Sequence, residues 1–429
     1  MRRILNRREF LRSTAAIGAA GISAGISRGA DSANERLHVG VVGVAGQGAY
    51  DLREVAKAGA AIVALCDVDE NRAKDARQQF PGAKFYTDFR RLLDQKGLDA
   101  VVIATPDHTH APATLRALRA GLHVYCEKPL THTVAEARLV AETAVRHKRV
   151  TQMGTQIHAG SNYRRVVEVV QSGAIGPVRE VHAWCDKAWT GGNRPKETPP
   201  VPEGLHYDLW LGPAPYRPYH PTYIPFFWRG WWDFGGGTLA DMACHYLDLP
   251  FWALGLRHPA SVAAEGSPVH PESAPEWLIV HYEFSARGSL PPVKLTWYHG
   301  NRRPQLFEEG KLPSWGNGVL FVGEKGMLLA DYGHYKLLPE EKFADFKPPS
   351  PSIPDSIGHH REWVEACKAG GPTTCNFTYG GALTETVLLG NVAYRSGRSF
   401  HWDADNLRAV HEPQADRFLH KEYRKPWTL

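Results

Sequence analysis

The sequence predicts an α/β domain on a parallel sheet, followed by an α+β domain with a largely antiparallel open sheet. Three observations predict it. Between residues 37 and 154, short continuous apolar runs alternate with stretches of helical periodicity, as in a parallel sheet covered on both faces. A glycine-rich loop closes the first of these runs. Beyond residue 154, several runs alternate apolar and polar side chains, as strands with one wet face do. A chain of 429 residues is long enough for both domains.

In order, strands are expected at 37–43, 61–66, 100–105, 123–126 and 150–154. Helices are expected between them at 47–58, 70–79, 88–95, 110–120 and 133–147. The second domain is expected to contribute strands at 178–184, 276–284, 293–298, 319–322 and 327–331. Gly323-Glu324-Lys325-Gly326 would turn one hairpin. Residues 187–237, rich in proline, glycine and aromatics and without periodicity, read as substrate loops. A long helix is expected over 238–254.

The first 33 residues stand apart. Within residues 1–30, Arg2, Arg3, Arg7, Arg8, Arg12 and Arg28 against Glu9 account for the whole formal net charge of +5. An Ala/Gly/Ile run follows the Arg7-Arg8-Glu9-Phe10-Leu11 stretch. It resembles a twin-arginine export signal and is too short and glycine-rich to span a bilayer. The domains would then run from 34 to 154 and from 155 to 429, with an extracytoplasmic, periplasmic address. The rest of the chain is near neutral, so no basic field points to nucleic acid or an anionic membrane. Of the six cysteines, Cys66, Cys126 and Cys244 sit in apolar runs and read as buried thiols. No His/Cys spacing suggests a metal site, and no disulfide framework is expected.

The first strand runs into Gly43-Val44-Ala45-Gly46-Gln47-Gly48. A tight turn, a close backbone approach and a helix N-terminus together hold a pyrophosphate, which is the Rossmann fingerprint. Ala45 replaces its middle glycine. Asp67 ends the second strand, where a carboxylate accepts from ribose hydroxyls and repels a 2′-phosphate, favouring NAD over NADP.

Two further motifs fall at carboxyl ends of parallel strands, where open α/β sheets bind ligands. They are Thr105-Pro106-Asp107-His108-Thr109-His110 and Glu127-Lys128-Pro129. With the glycine loop, Asp67, Gly154-Thr155-Gln156 and an Asp241/His245 pair on a glycine-led helix, these residues resemble the Gfo/Idh/MocA family of oxidoreductases. The family's Thr-Pro-Asn is Thr-Pro-Asp here. The resemblance implies that the cofactor site draws on Gly43, Ala45, Gly46, Gln47, Gly48, Asp67, Thr105, Pro106, Asp107, His108, His110, Glu127, Lys128 and Gln156. It places Lys128 near both nicotinamide and substrate, matches Asp241 and His245 to the family's Asp-x-x-x-His pair, and implies a homo-oligomer, dimer or tetramer, through the second-domain sheet.

On the 238–254 helix, Leu239, Met242, Ala243, Tyr246, Pro250 and Leu254 share one face, with Asp241, His245, Asp248 and Trp252 opposite. Asp241 and His245 lie one turn apart, so the carboxylate is expected to orient and charge the imidazole. Hydride transfer needs a base for the hydroxyl proton and a cation to polarise its oxygen. Lys128, His245 and Asp241 supply these, with either Lys128 or His245 taking the proton and Glu127 setting the charge of Lys128. Trp228 and Trp232, with Trp231 and Trp252, offer flat walls for a sugar ring, and His359-His360 reads as a surface or interface pair.

The reading is therefore an NAD-dependent oxidoreductase acting on a sugar or polyol hydroxyl. An exported enzyme meets little free NAD, which argues for a tightly held cofactor and a redox-neutral cycle. That leaves an NAD-dependent glycoside hydrolase or lyase using transient oxidation as an alternative, and a non-catalytic sugar-binding protein as a second.

Overall fold

The computed structural model describes residues 36–429; the twin-arginine stretch lies outside them. The first sheet has six strands: β1 (His38–Val42), β2 (Ala61–Cys66), β3 (Lys84–Tyr86), β4 (Ala100–Ile103), β5 (His123–Cys126) and β6 (Thr151–Met153). Their order is β3-β2-β1-β4-β5-β6, parallel throughout. This is the doubly wound arrangement expected, with the switch point between β1 and β4. Within this sheet, β3 is the one strand the sequence did not show; it has only three residues. Along β1, Val39 and Val41 pack under Leu52, Val55 and Trp363, while Val42 faces the opposite layer with Ile103 and Leu115. Burial on both faces explains the unbroken apolar runs.

The second sheet adds β7 (Val178–Cys185), β8 (Ser261–Gly266), β9 (Leu278–Phe284), β10 (Val293–His299), β11 (Gly318–Gly323), β12 (Gly326–Ala330), β13 (Tyr335–Leu338), β14 (Phe400–Asp403) and β15 (Arg408–Val410). Its order is β13-β12-β11-β7-β10-β9-β8-β14-β15. Every neighbour is antiparallel except β10 with β7. Glu324 and Lys325 link β11 to β12, as the turn motif predicts.

Three departures shape the site. Helix Asp107–Arg119 starts three residues earlier than periodicity suggests, because Pro106 in extended conformation and Asp107 in the first turn form its entry. The 238–254 helix divides into Gly237–Tyr246 and Asp248–Leu254. Pro250 has no N–H for the Tyr246 carbonyl four residues back, which breaks the ladder there. Helix His359–Ala369 returns to the first sheet, so His359 and His360 are buried at 5% exposure each and are not a surface pair. His359 Nε2 lies 2.8 Å from the Met153 carbonyl, and His360 Nε2 lies 2.9 Å from Asp51 Oδ1 while its ring stacks on Tyr125.

Helix Phe377–Ser396, capped by Asn376, lies against both helix Val134–His147 and β8. Glu385 on it accepts from both Arg138 Nε and Nη2, at 3.0–3.2 Å. The six cysteines are buried free thiols. Among the described residues, no helix is long and apolar enough to cross a membrane, and no group of three potential metal ligands occurs.

Candidate active site

A cavity of about 580 Å³ opens along the carboxyl ends of β1, β2, β4 and β5. It runs from the loop after β1, past Asp67, to Lys128, His245 and the loop bearing Trp228. The glycine loop has the build a pyrophosphate needs. Gly43 has φ +82°, and a Cβ there would lie 2.4 Å from the Ala104 carbonyl oxygen. At Gly48 a Cβ would lie 1.9 Å from the Gly43 oxygen, so this glycine sets the close helix-to-strand packing and does not line the cavity. Ala45, Gly46 and Gln47 line it, ahead of helix Gln47–Lys57.

Asp67 faces the cavity while accepting from the Val44 and Asp69 amides, both at 3.0 Å. Burial pushes its carboxyl up, against these amides and Arg72, which also lines the cavity. Thr105, Pro106, Asp107, Glu127 and Gln156 line the same space. The two histidines between these motifs do not. His108 sits between the Phe234 and Trp210 carbonyls, and His110 between those of Pro129 and Thr105. Both are buried, and burial pulls their pKa values down to about 3 and 4. His110 ties the turn at Thr105 to the turn at Pro129, and His108 ties the start of its helix to the loops at Trp210 and Phe234; neither lines the cavity.

The chemistry gathers where β5 ends and helix Gly237–Tyr246 begins. Lys128 Nζ donates to Asp241 Oδ1 at 2.7 Å and to the Asp241 carbonyl at 3.0 Å. Asp241 also pairs with Arg229 Nε at 3.1 Å and accepts from Trp189 Nε1 at 2.7 Å. Burial raises the Asp241 pKa, but Lys128 and Arg229 outweigh it and hold the carboxyl well below its usual range. Burial lowers the Lys128 pKa, but Asp241 first and Glu127 second reverse that, so the ammonium stays charged.

The expected Asp241–His245 contact is not made, because Lys128, Arg229 and Trp189 occupy the carboxylate. His245 lines the cavity on its own, and burial and then Lys128 push it down to about 3, which keeps the imidazole neutral. Asp248 and Trp252 also leave the site. Asp248 accepts from Tyr379 Oη at 2.7 Å and lies 2.8 Å from His158 Nδ1, and Trp252 stacks on that histidine.

Glu127 accepts from Gln156 Nε2 at 2.5 Å. Burial and then neighbouring Asp51 push its carboxyl up to about 8; burial pushes Asp51 up to about 7. Asp107, at the cavity wall, is likewise pushed up to about 7 by burial, against Arg229 and Lys128. Of the tryptophans, Trp228 lines the cavity, but the Arg229 guanidinium covers its ring at 4.3 Å. Trp231 is buried under Arg194, and Trp232 donates to the His270 carbonyl at a separate cavity. Arg229 and Trp189 are site residues that sequence reasoning missed; both lie on aperiodic loops, and Arg229 was hidden among the tryptophans around it.

Residues 37–155 match the Gfo/Idh/MocA oxidoreductase model for the NAD-binding Rossmann fold, and residues 160–290 match that family's C-terminal alpha/beta domain. The chain belongs to this family. It is 33% identical over 150 residues to an inositol 2-dehydrogenase of Salmonella paratyphi B, covering 34% of this chain and 45% of that protein. The chain thus matches less than half the length of that relative. Two solved structures share the fold. One is the WlbA dehydrogenase from Bordetella pertussis in complex with NADH and UDP-GlcNAcA (TM-score 0.62, 18% identity, 86% of this chain and 100% of that one). The other is the aldose-aldose oxidoreductase from Caulobacter crescentus complexed with glycerol (TM-score 0.57, 18% identity, 85% and 99%).

Proposed function

We propose that this protein is an NAD-dependent oxidoreductase acting on a sugar or polyol hydroxyl. The observation that carries the reading is one cavity holding a dinucleotide loop, a charged lysine and a neutral histidine. Bound NAD supplies the hydride acceptor. Lys128, fixed by Asp241, polarises the substrate oxygen, and its bound proton prevents it from acting as the first base. Neutral His245 therefore accepts the hydroxyl proton, and the Lys128 charge beside the oxygen eases its departure. The inositol 2-dehydrogenases among the relatives support the substrate class.

Asp67 supports NAD over NADP, since its carboxylate faces the cavity at the end of β2. Arg7-Arg8 supports twin-arginine export and hence a cofactor retained through turnover. Assembly into a homo-oligomer through the second-domain sheet belongs to the same proposal; light scattering tests it. The experiment for the main reading is to assay the purified mature protein for bound NAD, then to follow polyols, sugars and aryl glycosides without added cofactor. Absence of NAD binding in any form, or no turnover across these classes with NAD supplied, would overturn it.

A further inference from the structure

A second cavity, of about 330 Å³, lies between the loop before helix Gly237–Tyr246, helix Phe377–Ser396 and the C-terminal segment. None of its lining residues lines the first cavity. Arg395 is on its wall, with the guanidinium 4.7 Å from the centroid of Trp232 and 4.5 Å from that of Phe418. Two aromatic rings thus hold the guanidinium. No hydrogen bond or ion pair to it occurs among the described residues.

Of the carboxylates nearby, Glu422 lies exposed on the lining and two others are committed elsewhere. Asp233 is bound by Arg194 and Arg217, and Glu136 by Lys421 at 3.1 Å. Lys421 is spoken for as well, donating at 3.2 Å to the His108 carbonyl, which Pro112 leaves without its helical partner. One turn before Arg395, Asn391 donates to the Gly236 carbonyl at 2.9 Å. Its Oδ1 is buried with no donor, and Asn391 is 7% exposed on the wall of the same cavity. Arg417 stands exposed at the rim.

Each unmet group specifies part of a ligand. A guanidinium packed against two rings, with no hydrogen bond of its own among the described residues, matches a carboxylate through two parallel bonds. A buried amide oxygen without a donor calls for a hydroxyl. We propose that this cavity binds a small hydroxycarboxylate, with its carboxylate on Arg395 and a hydroxyl donating to Asn391 Oδ1. The site is independent of the cofactor cavity and of the activity proposed for it.

The test is calorimetric titration of the mature protein, and of its Lys128→Ala variant, with gluconate, hexanoate and inorganic phosphate. Gluconate should saturate both proteins at millimolar concentrations or below, and bind several-fold tighter than hexanoate or phosphate. Arg395→Gln should weaken gluconate by about tenfold or more, as the loss of a charge-assisted bidentate pair does. Arg417→Glu, at an exposed position where packing is not at stake, should weaken it several-fold even if Arg395→Gln fails to fold. The proposal is overturned by no saturation up to about 20 mM, by affinity unchanged in Arg417→Glu and in a folded Arg395→Gln, or by binding lost in Lys128→Ala alone. Phosphate or hexanoate binding as tightly as gluconate would overturn the ligand class.

Discussion

Asp107 replaces the asparagine of the family motif, and Asp107→Asn tests the electrostatics of the cavity directly. Burial pushes the Asp107 carboxyl from 3.8 up to about 7 in the fold. That is roughly three pKa units at about 1.4 kcal/mol each, or on the order of 4 kcal/mol against ionising it in place. Between pH 4 and 7 the folded chain keeps this proton and the unfolded chain releases it. The stability associated with the neutral acid is therefore complete below about pH 4 and lost as pH rises through 7. Asparagine has no proton to lose. The variant should thus gain on the parent by up to about 1.4 kcal/mol per pH unit across this window and hold a constant lead above pH 8. Asp51 and Glu127 are pushed up to about 7 and 8 and titrate in the same window, but they do so in both proteins and cancel in the difference. Urea denaturation of both proteins at pH 5 and 8, compared pairwise, measures it. A difference independent of pH, or one favouring the parent at pH 8, would show that Asp107 is ionised in the fold and refute the reasoning.

Asp67→Ala should weaken NAD and relax discrimination against NADP, since it removes an acceptor and a repulsive charge; titration of both cofactors by fluorescence checks this. Lys128→Ala and His245→Ala should each lower turnover by roughly 10²–10⁴ while leaving folding and NAD content intact, as measured by steady-state kinetics and circular dichroism. Asp241→Asn removes the charge that keeps Lys128 protonated against burial, so a pH–rate profile should show its alkaline limb moving toward neutrality. For the redox-neutral cycle, many turnovers at constant enzyme-bound NADH without added cofactor are expected. One turnover followed by arrest, rescued by free NAD, would leave a conventional dehydrogenase.

The parallel sheet was legible because its strands are buried on both faces, so Val39, Val41 and Val42 all had to be apolar. The motif residues at its carboxyl edge were legible for a related reason: backbone geometry at Gly43 and Gly48 admits no side chain. What stayed hidden depends on long-range partners. His108 and His110 sit among residues that line the cavity, yet carbonyls 5 to 126 residues away turn them inward. His359-His360 looked hydrophilic because nothing local reveals that their helix docks on β5 and β6. The short strands β3, β14 and β15 carry too few residues to show a period. Arg229 and Trp189 lie on loops, where periodicity gives no direction for a side chain.

The most consequential miss was the partner of Asp241. Helical spacing brings Asp241 and His245 within reach, but it says nothing about what else competes for the carboxylate. Two cations and an indole N–H do, and a charge-assisted bond to a fixed ammonium is stronger than one to a neutral imidazole. Winning that contact changes the roles. An Asp bonded to His245 would raise the pKa of the imidazole and make it an acid, with Lys128 left to lose its charge to burial. With Asp241 on Lys128, the reverse holds: the lysine keeps its proton and the histidine is left neutral, which is the arrangement the proposed function uses. The same residues at the same spacing would support either assignment. What the spacing could not show is the set of partners on the carboxylate: Arg229 shares Oδ1 with Lys128, and Trp189 holds Oδ2.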